Sequence, residues 1–517
     1  MNTFIKFTIL FVSLTSISAL NILGIFPYQG KSHFFVHEVF LRELANKGHN
    51  LTVISYFPLK DAPKNYRDIT LVDEKIVVEA AWPFERSYWI VIQIVTVLSI
   101  IGRENCDVML SNKQVQDMIA QKPKFDVVII EHFNSDCALG IAYKLKAPVV
   151  ATASHILMPW QFKRFGIPNN PSYVPYHFLG GGTKPTLYQR IERLVFDFLI
   201  NNLYYYICQK SNQESLAKYF DDIPPLEDLA REIKFLLLYQ NFVLTQSRLF
   251  PSNVIEVGGY HVTKAKPLTG ELKTFMENAN NGVIYISFGS LVKDTDLTPE
   301  KIQAILDTII EMPQRFVWKL NDKSKAIKDK LYCSEWLPQI DILGHNKTVA
   351  FFSHSGMGST TESIHYGVPM VAMPILGDQP SNAASVEESG LGVQIQMKDL
   401  TKDNLIKAFK KVLDPRFRQQ VTEVSRAWHD RPMSPLDTAV FWTEFAARNT
   451  NFTFRSAAAD VPFYQYMFLD IGCLVMISLL GIIFSIKTII SFCIRKNSLK
   501  TGSGKNKTVK NKKSKHE

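Results

Sequence analysis

The chain has 517 residues, a formal net charge of +10 and a hydrophobic fraction of 46%. That hydrophobic content is enough for a large core, which excludes a disordered or fibrous chain. Between Arg495 and Glu517, nine cations and one anion give +8, which leaves only +2 for the other residues. The body is therefore nearly neutral, and the charge predicts no surface for nucleic acid.

Residues 1–19 have the pattern of a secretory signal peptide. Lys6 supplies a short cationic start, an apolar stretch follows, and small residues lead up to Ala19. The apolar stretch is too short for a lasting membrane span. We therefore predict cleavage after Ala19.

Residues 20–255 are predicted to form a first α/β domain. A strand at 21–26, a helical pattern at 35–45 and a strand at 51–55 make one βαβ unit, which implies a parallel sheet. The pattern recurs further on, with a strand at 126–130, a helix at 138–145 and a strand at 148–152.

Two apolar segments in this domain, 88–101 and 187–208, do not fit the repeat. The first is too short to span a bilayer. Either segment can line a ligand pocket or lie on a membrane surface, and packing inside the first domain is the interpretation we favour.

A turn-rich linker at 256–275 precedes a second α/β domain at 276–445. Its predicted elements are strands at 283–287, 315–319, 349–353 and 368–373 and a helix at 299–311. Two open α/β domains that face each other create a cleft at the carboxyl ends of their strands, where such sheets bind ligands.

The C-terminal region is predicted to anchor the chain in a membrane. A juxtamembrane segment at 446–465 leads to an apolar span at 466–488 and then to a basic tail at 489–517. This order predicts a single-pass type I protein with a lumenal body and a cytosolic tail. Lys513 and Lys515 resemble a dilysine signal for return to the endoplasmic reticulum, and the tail can also attract anionic lipid.

Three glycosylation sequons, at Asn50, Asn346 and Asn451, lie in the predicted lumenal part. The cysteines outside the span are Cys106, Cys137, Cys208 and Cys333. They are scattered and lack metal-ligand spacing, so the sequence predicts neither a disulfide framework nor a metal site.

The most informative segment runs from 351 to 379. A strand leads to His354 and a glycine-bearing turn that opens a helix, whose N-terminal amides and dipole suit a diphosphate. Glu362 on that helix can accept hydrogen bonds from ribose hydroxyls. Asp378 and Gln379 follow the next strand and can bind sugar hydroxyls.

This segment resembles the donor-binding motif of the UDP-glycosyltransferase family. Residues 335–339 resemble the preceding motif of that family, 287–290 the loop that touches the diphosphate, and 430–437 the animal and particularly the insect form. The resemblance covers essentially the whole chain. The donor-binding residues that it implies are Ser290, Trp336, Gln339, His354, Gly356, Gly358, Ser359, Glu362, Asp378 and Gln379.

The resemblance implies the GT-B fold, in which two Rossmann-like domains face a cleft, here with one C-terminal transmembrane helix. The first domain would bind the acceptor and the second the UDP-sugar. The chain departs from the family pattern at Ser355, where glycine is common, and at Gly358, where asparagine is common. Contact with the donor phosphates would then depend more on Ser359, Thr360 and backbone amides.

The first domain should supply the catalytic base. His33 follows the first strand and matches the catalytic histidine of the family. A neutral imidazole can take a hydroxyl proton near neutral pH, and an acidic neighbour would stabilise the imidazolium. Two carboxylates follow the strand at 126–130: an ungapped alignment favours Glu131, and residue type favours Asp136, to which we give a slight preference.

The sequence thus predicts an inverting hexosyltransferase that moves a sugar, glucose by preference, from a UDP-sugar to a hydroxyl of a small lipophilic acceptor such as a phenol, toxin, steroid or pigment. The UDP-sugar is a co-substrate, and no resident cofactor is expected. Two alternatives are a UDP-glucuronosyltransferase and a non-catalytic lumenal binding protein on a transferase scaffold. Homo- or hetero-oligomer formation stays open.

Overall fold

The computed structural model describes residues 19–72, 88–289 and 297–503. The chain divides into two compact units, Met1–Ala459 and Asp460–Glu517. Nearly all of the predicted signal peptide, the predicted donor residue Ser290 and the last fourteen residues of the basic tail lie outside the described residues.

The first sheet has seven parallel strands in the order β3-β2-β1-β4-β5-β6-β7. They are β1 (Asn21–Phe26), β2 (Asn50–Ser55), β3 (Tyr66–Thr70), β4 (Val127–Glu131), β5 (Val149–Ala153), β6 (Phe235–Leu238) and β7 (Val254–Glu256). The strand order reverses between β1 and β4, and ligands bind at such switch points in open α/β sheets. The central strands are apolar along their length because helices cover both faces.

The helices of this part are α1 (Lys31–Asn46), α2 (Tyr88–Ser111), α3 (Lys113–Gln121), α4 (Cys137–Leu145), α5 (Pro159–Phe165), α6 (Leu187–Leu203), α7 (Lys210–Ala217), α8 (Leu226–Arg231) and α9 (Phe242–Thr245). A π-helical segment, Tyr204–Gln209, joins α6 to α7.

The second sheet has six parallel strands in the order β10-β9-β8-β11-β12-β13. They are β8 (Val283–Ser287), β9 (Arg315–Lys319), β10 (Leu331–Ser334), β11 (Thr348–Ser353), β12 (Met370–Ala372) and β13 (Gly392–Gln394). The helices are α10 (Gly270–Glu277), α11 (Pro299–Glu311), α12 (Gln339–Leu343), α13 (Met357–Tyr366), α14 (Gln379–Glu388), α15 (Lys402–Leu413), α16 (Pro415–His429) and α17 (Pro435–Arg448). Short 3₁₀ turns lie at Lys323–Lys325, Met397–Asp399 and Ala457–Ala459. The prediction of two parallel α/β sheets is confirmed.

The last helix of this unit, α17, returns to the first sheet. The ring centroids of Phe235 on β6 and Trp442 on α17 are 4.9 Å apart. His49 Nε2 lies 3.1 Å from the Glu444 carboxylate. The predicted end of the second domain at residue 445 therefore falls within a helix that packs against the first domain. An amphipathic pattern does not tell which of two sheets its apolar face covers.

The two apolar segments that did not fit the repeat pack together. Residues of α2 and α6 share a buried cluster with Phe133, Trp160 and Tyr204. The outer face of α6 stays exposed, and its apolar side chains include Leu187, Ile191, Leu194 and Phe198. The prediction that these segments pack inside the first domain is thus confirmed for their buried faces. Contact of the outer face of α6 with a membrane stays a prediction.

A disulfide joins Cys106 on α2 to Cys137 at the start of α4, with Cα atoms 5.6 Å apart. The two cysteines are 31 residues apart, which matches no recognisable spacing, so this pair could not be predicted from the sequence.

The second unit contains α18 (Phe463–Tyr466) and α19 (Leu469–Ser503). Within the described residues, Leu469–Leu499 is long and apolar enough to cross a membrane, with a mean hydropathy of 2.4. This helix starts three residues after the predicted start of the span and continues into the basic segment.

Candidate active site

His33 and Glu131 reach the same edge of the first sheet from neighbouring strands. His33 lies in the first turn of α1, a few residues after β1 ends, and Glu131 is the last residue of β4, which pairs with β1. Helix α1 packs Phe34, Phe40 and other apolar residues against the sheet. That packing fixes the helix and leaves His33 half-buried at the carboxyl ends of the strands.

The two side chains form a close pair. His33 Nδ1 is 2.6 Å from Glu131 Oε1, and Ser154 Oγ lies 2.9 Å from the same nitrogen. A proton on Nδ1 that is donated to the carboxylate leaves Nε2 unprotonated, as a general base requires. Burial opposes the charge on Glu131, but interactions with His33 and His37 hold its pKa well below the usual range. The carboxylate is therefore ionised beside the imidazole.

Asp136 has a different partner, and the preference for it beside His33 is wrong. Its two carboxylate oxygens accept hydrogen bonds of 2.9 and 2.7 Å from the Arg164 guanidinium, and Gln209 Nε2 donates a third at 3.2 Å. Asp136 and Arg164 are both almost completely buried. Burial raises the pKa of Asp136, but Arg164 outweighs it, and the net shift is downward. Asp136 thus fastens α4 to α5.

Aromatic rings surround His33. The His33 ring centroid lies 4.7 Å from that of Tyr28, 4.6 Å from Phe133 and 5.8 Å from His155. His155 Nδ1 bonds to the Ile156 carbonyl at 2.7 Å, and burial holds the pKa of His155 well below its usual value. This side of the cleft suits an apolar or aromatic molecule that carries few polar groups.

On the second sheet, β11 leads to His354, whose ring lies between two glycines. A Cβ added at Gly356 would lie 2.5 Å from His354 Nε2, and one added at Gly289 would lie 2.7 Å from it. Burial, aided by the nearby Lys319 charge, lowers the pKa of His354 to about 4. The ring is therefore neutral at physiological pH, although a hydrogen bond to the Ser287 backbone opposes the fall of its pKa.

The structure shows the surroundings of the two residues that depart from the family pattern. Ser355 has φ +64°, a left-handed conformation that favours glycine. Gly358, in the first turn of α13, has open space where a side chain would project. A larger residue thus fits at 358, whereas Ser355 keeps a strained backbone.

The predicted nucleotide-binding residues come together at α13. Gln339 Nε2 donates to Ser359 Oγ at 2.9 Å and to Glu362 Oε2 at 2.5 Å. The Trp336 side chain is 63% exposed, and the Lys31 and Lys319 ammonium groups lie 4.9 and 5.5 Å from its ring centroid. An exposed indole beside an ordered polar cluster suits a base and its ribose.

The predicted sugar-binding residues lie after β12, where α14 begins. Gln379 Oε1 accepts from the backbone N–H groups of Ile375 and Leu376 at 2.8 and 2.9 Å, which fixes the loop before the helix. Asn382 Nδ2 donates to Asp378 Oδ2 at 2.7 Å. Burial lowers the pKa of His177, and the Asp378 carboxylate opposes that shift across the cleft.

Sequence reasoning missed three residues of the site. Ser154 comes directly after β5, so the rule that ligands bind at strand ends gave a usable signal. Lys319, which donates to the Gly289 carbonyl at 2.6 Å, is the last residue of β9 and gave the same signal. His261 lies in the predicted linker, and its Nε2 is 3.1 Å from Glu362 Oε1. No sequence pattern in the linker marks this histidine.

Comparisons with known proteins agree with this geometry. The model of the family described as "UDP-glucoronosyl and UDP-glucosyl transferase" matches residues 23–504. UDP-glucosyltransferase 2 of Dactylopius coccus is 32% identical over 496 residues, covering 94% of this chain and 96% of the relative. UDP-glucuronosyltransferase 2B1 of Rattus norvegicus is 29% identical over 503 residues, covering 90% and 92%.

Solved structures show the same fold at low sequence identity. A UDP-glucosyltransferase from Polygonum tinctorium superposes with a TM-score of 0.59 at 15% identity, covering 83% of this chain and 99% of that one. UGT2 of Phytolacca americana, complexed with UDP-2fluoro-glucose and pterostilbene, gives 0.58 at 16% identity, covering 83% and 100%. The chain therefore has the GT-B fold, and it belongs to the UDP-glucosyl and UDP-glucuronosyl transferase family of enzymes.

Proposed function

We propose that this enzyme transfers a hexose, with glucose as the preferred sugar, from a UDP-sugar to a hydroxyl of a small lipophilic acceptor, with inversion at the anomeric carbon. The observation that carries the proposal is the His33–Glu131 pair at 2.6 Å among aromatic rings. Lys31, two residues before His33, contacts the Trp336 ring of the donor site. The base and the donor site therefore face the same cleft.

In the proposed reaction, His33 Nε2 takes the proton of the acceptor hydroxyl while its oxygen attacks the anomeric carbon. The bond from that carbon to the UDP oxygen breaks, and UDP leaves with the electron pair. Glu131 stabilises the imidazolium that forms, and it holds the tautomer that presents Nε2. Because attack and departure occur on opposite faces of the sugar, the configuration inverts.

The donor side of the cleft supplies charges and dipoles for the leaving group. The N-terminal amides of α13, the neutral His354 ring and the Lys319 ammonium all lie around the turn at Gly289 and Gly356. Such groups are pre-oriented toward negative charge that grows on UDP. The UDP-sugar is a co-substrate, and the proposal needs no resident cofactor.

Phenols, plant toxins, steroids and pigments are the acceptor classes that we propose, because an aromatic and apolar wall faces the base. The predicted signal peptide, the apolar helix of the second unit and the terminal lysines support a place in the endoplasmic reticulum membrane, with a lumenal body that serves detoxification. The insect relative named as a glucosyltransferase supports glucose as the sugar.

The experiment uses microsomes that express the full chain. UDP-glucose, UDP-glucuronate and other UDP-sugars are each offered with a panel of phenolic acceptors, and glycosides are identified by mass spectrometry and by the NMR configuration of the new bond. We expect β-linked glucosides from UDP-glucose, and none from His33→Ala microsomes with equal protein content.

Products formed only from UDP-glucuronate would contradict glucose as the preferred sugar, and the protein would still be a UDP-glycosyltransferase. Binding of UDP with neither sugar transfer nor hydrolysis of the UDP-sugar would contradict the proposed enzymatic activity. It would favour a binding protein on the same scaffold. Retention of the donor configuration would contradict direct displacement by the acceptor.

A further inference from the structure

Two consecutive linker residues, Tyr260 and His261, reach the two halves of the site. They follow Gly259, whose φ of +100° turns the chain between β7 and α10. Both side chains are almost completely buried. Neither belongs to the donor motif or to the base.

His261 holds the carboxylate at the ribose end of the donor site. Its Nε2 lies 3.1 Å from Glu362 Oε1, and the Tyr239 hydroxyl lies at its Nδ1. When Nε2–H donates to the carboxylate, Nδ1 accepts from the tyrosine, so both ring nitrogens are satisfied. Gln339 binds the other oxygen of Glu362. The carboxylate is thus oriented from two sides before a nucleotide binds.

Tyr260 holds a second histidine beside the base. Its hydroxyl is 2.8 Å from Nδ1 of His37, which lies one helical turn after His33 on α1 and is completely buried. His37 Nε2 lies 3.8 Å from Glu131 Oε1, the oxygen that binds His33. Among the described residues, this nitrogen has no hydrogen-bond partner. A shift of about 1 Å would bring it within hydrogen-bond distance of Glu131.

We propose that Tyr260 and His261 are positioning residues that couple nucleotide binding at Glu362 to the His33–Glu131 pair. A ribose that binds Glu362 fixes His261, and the adjoining backbone carries the constraint to Tyr260. Tyr260 then orients His37 so that its Nε2–H reaches Glu131 and locks the carboxylate against His33. The base is therefore fully oriented when the donor is in place.

Several titratable groups surround this path, since Tyr28 also lies near Glu131, and Tyr285 and Tyr366 lie near Glu362. Glu131 faces His33, His37 and Ser154, while Glu362 faces His261 and Gln339. Tyr260 packs on Phe40 and Tyr239. The Arg431 guanidinium donates to the Gly258 carbonyl at 2.9 Å and stacks on Trp428, which anchors the start of the linker turn.

The proposal rests on the proposed function and extends it. The key variant is Tyr260→Phe, which keeps the ring and removes the hydroxyl. The matched control is Tyr66→Phe, because Tyr66 lies on edge strand β3 and its buried hydroxyl has no partner among the described residues. His37→Asn is the second variant, since its amide oxygen can still accept from Tyr260 while its nitrogen falls short of Glu131.

Steady-state kinetics separate coupling from mere packing. We expect Tyr260→Phe and His37→Asn to lower kcat about 5- to 10-fold, as loss of one hydrogen bond does, with the KM for the UDP-sugar within about twofold of wild type. His261→Asn should raise the KM for the UDP-sugar. Tyr66→Phe should change none of these quantities.

The double variant Tyr260→Phe/His261→Asn tests the shared path. Its loss of kcat/KM should be smaller than the product of the two single losses. A wild-type kcat in Tyr260→Phe, or fully multiplicative losses in the double variant, would overturn the coupling, while transfer by the wild type would still uphold the proposed function.

Calorimetric titration with UDP gives a readout that needs no turnover. His261→Asn should weaken UDP binding, and this loss of affinity should be smaller in the Tyr260→Phe background than in the wild-type background, because both residues act through one path. Equal losses in the two backgrounds would overturn the coupling, even if the wild type transfers no sugar and the proposed function itself fails.

Discussion

Replacement of Asp136 by alanine should lower the stability of the enzyme and leave its turnover nearly unchanged. The carboxylate accepts two hydrogen bonds from Arg164 and one from Gln209, and both partners of the ion pair have side chains only 1% exposed. Alanine leaves the guanidinium buried beside Glu227, which lies 3.1 Å away and compensates in part. Breaking a buried pair from one side costs about 3–5 kcal/mol, and we expect about 3 kcal/mol here.

The assay measures thermal unfolding of the solubilised protein and turnover at a temperature where each variant is folded. A loss of about 3 kcal/mol corresponds to a fall in apparent Tm of roughly 6 to 12 °C. The kcat per folded molecule should stay within about threefold of wild type. Glu131→Ala is the matched control, since it should lose roughly 100-fold or more in kcat when the base loses its orienting carboxylate.

The reasoning would be refuted by an Asp136→Ala protein that keeps its Tm and loses turnover as severely as Glu131→Ala. That result would show that Asp136 serves the reaction as directly as Glu131 does and has no structural role of its own.

Three further predictions concern single positions. Gly358→Asn should lower the KM for the UDP-sugar, because the position is open and the amide adds a hydrogen-bond donor for a phosphate. An unchanged or higher KM in initial-rate assays would contradict such a phosphate contact. Ser355→Gly should raise the apparent Tm by about 2 °C through relief of the left-handed strain of about 1 kcal/mol, and a lower Tm would show that the hydroxyl has a structural partner. Cys106→Ala should destabilise the protein in chemical denaturation by about 4 kcal/mol, the value expected for a bond that closes a loop of this length, and reductant should lower the stability of the wild type to the same level; equal stability of the wild type and the variant without reductant would contradict the bond.

Much of the fold was predictable because each element carries a strong local pattern. Buried parallel strands are short apolar runs, and the helices between them repeat apolar residues at helical spacing, so the two sheets followed from the sequence. The predicted donor residues from His354 to Gln379 also lie close together as expected, since one strand, one turn and one helix carry most of them within a continuous segment, and their role in binding stays a prediction.

The partner of His33 could not be predicted in the same way. Glu131 and Asp136 both follow β4, and the choice between them depends on where each side chain points after the strand ends. Asp136 instead forms an ion pair with Arg164, which lies 28 residues further along the chain on another helix. No local pattern records such a pairing, and the same holds for the return of α17 to the first sheet and for the contact of His261 with Glu362.

The central claim is that His33, held by Glu131, removes the acceptor proton. The most direct measurement is the rate of UDP release from UDP-glucose and a phenolic acceptor by His33→Ala, with UDP affinity determined in parallel by calorimetry. The account predicts a loss of at least roughly 100-fold in kcat and an unchanged UDP affinity, because His33 lies in the first domain. Turnover comparable to wild type would contradict the claim.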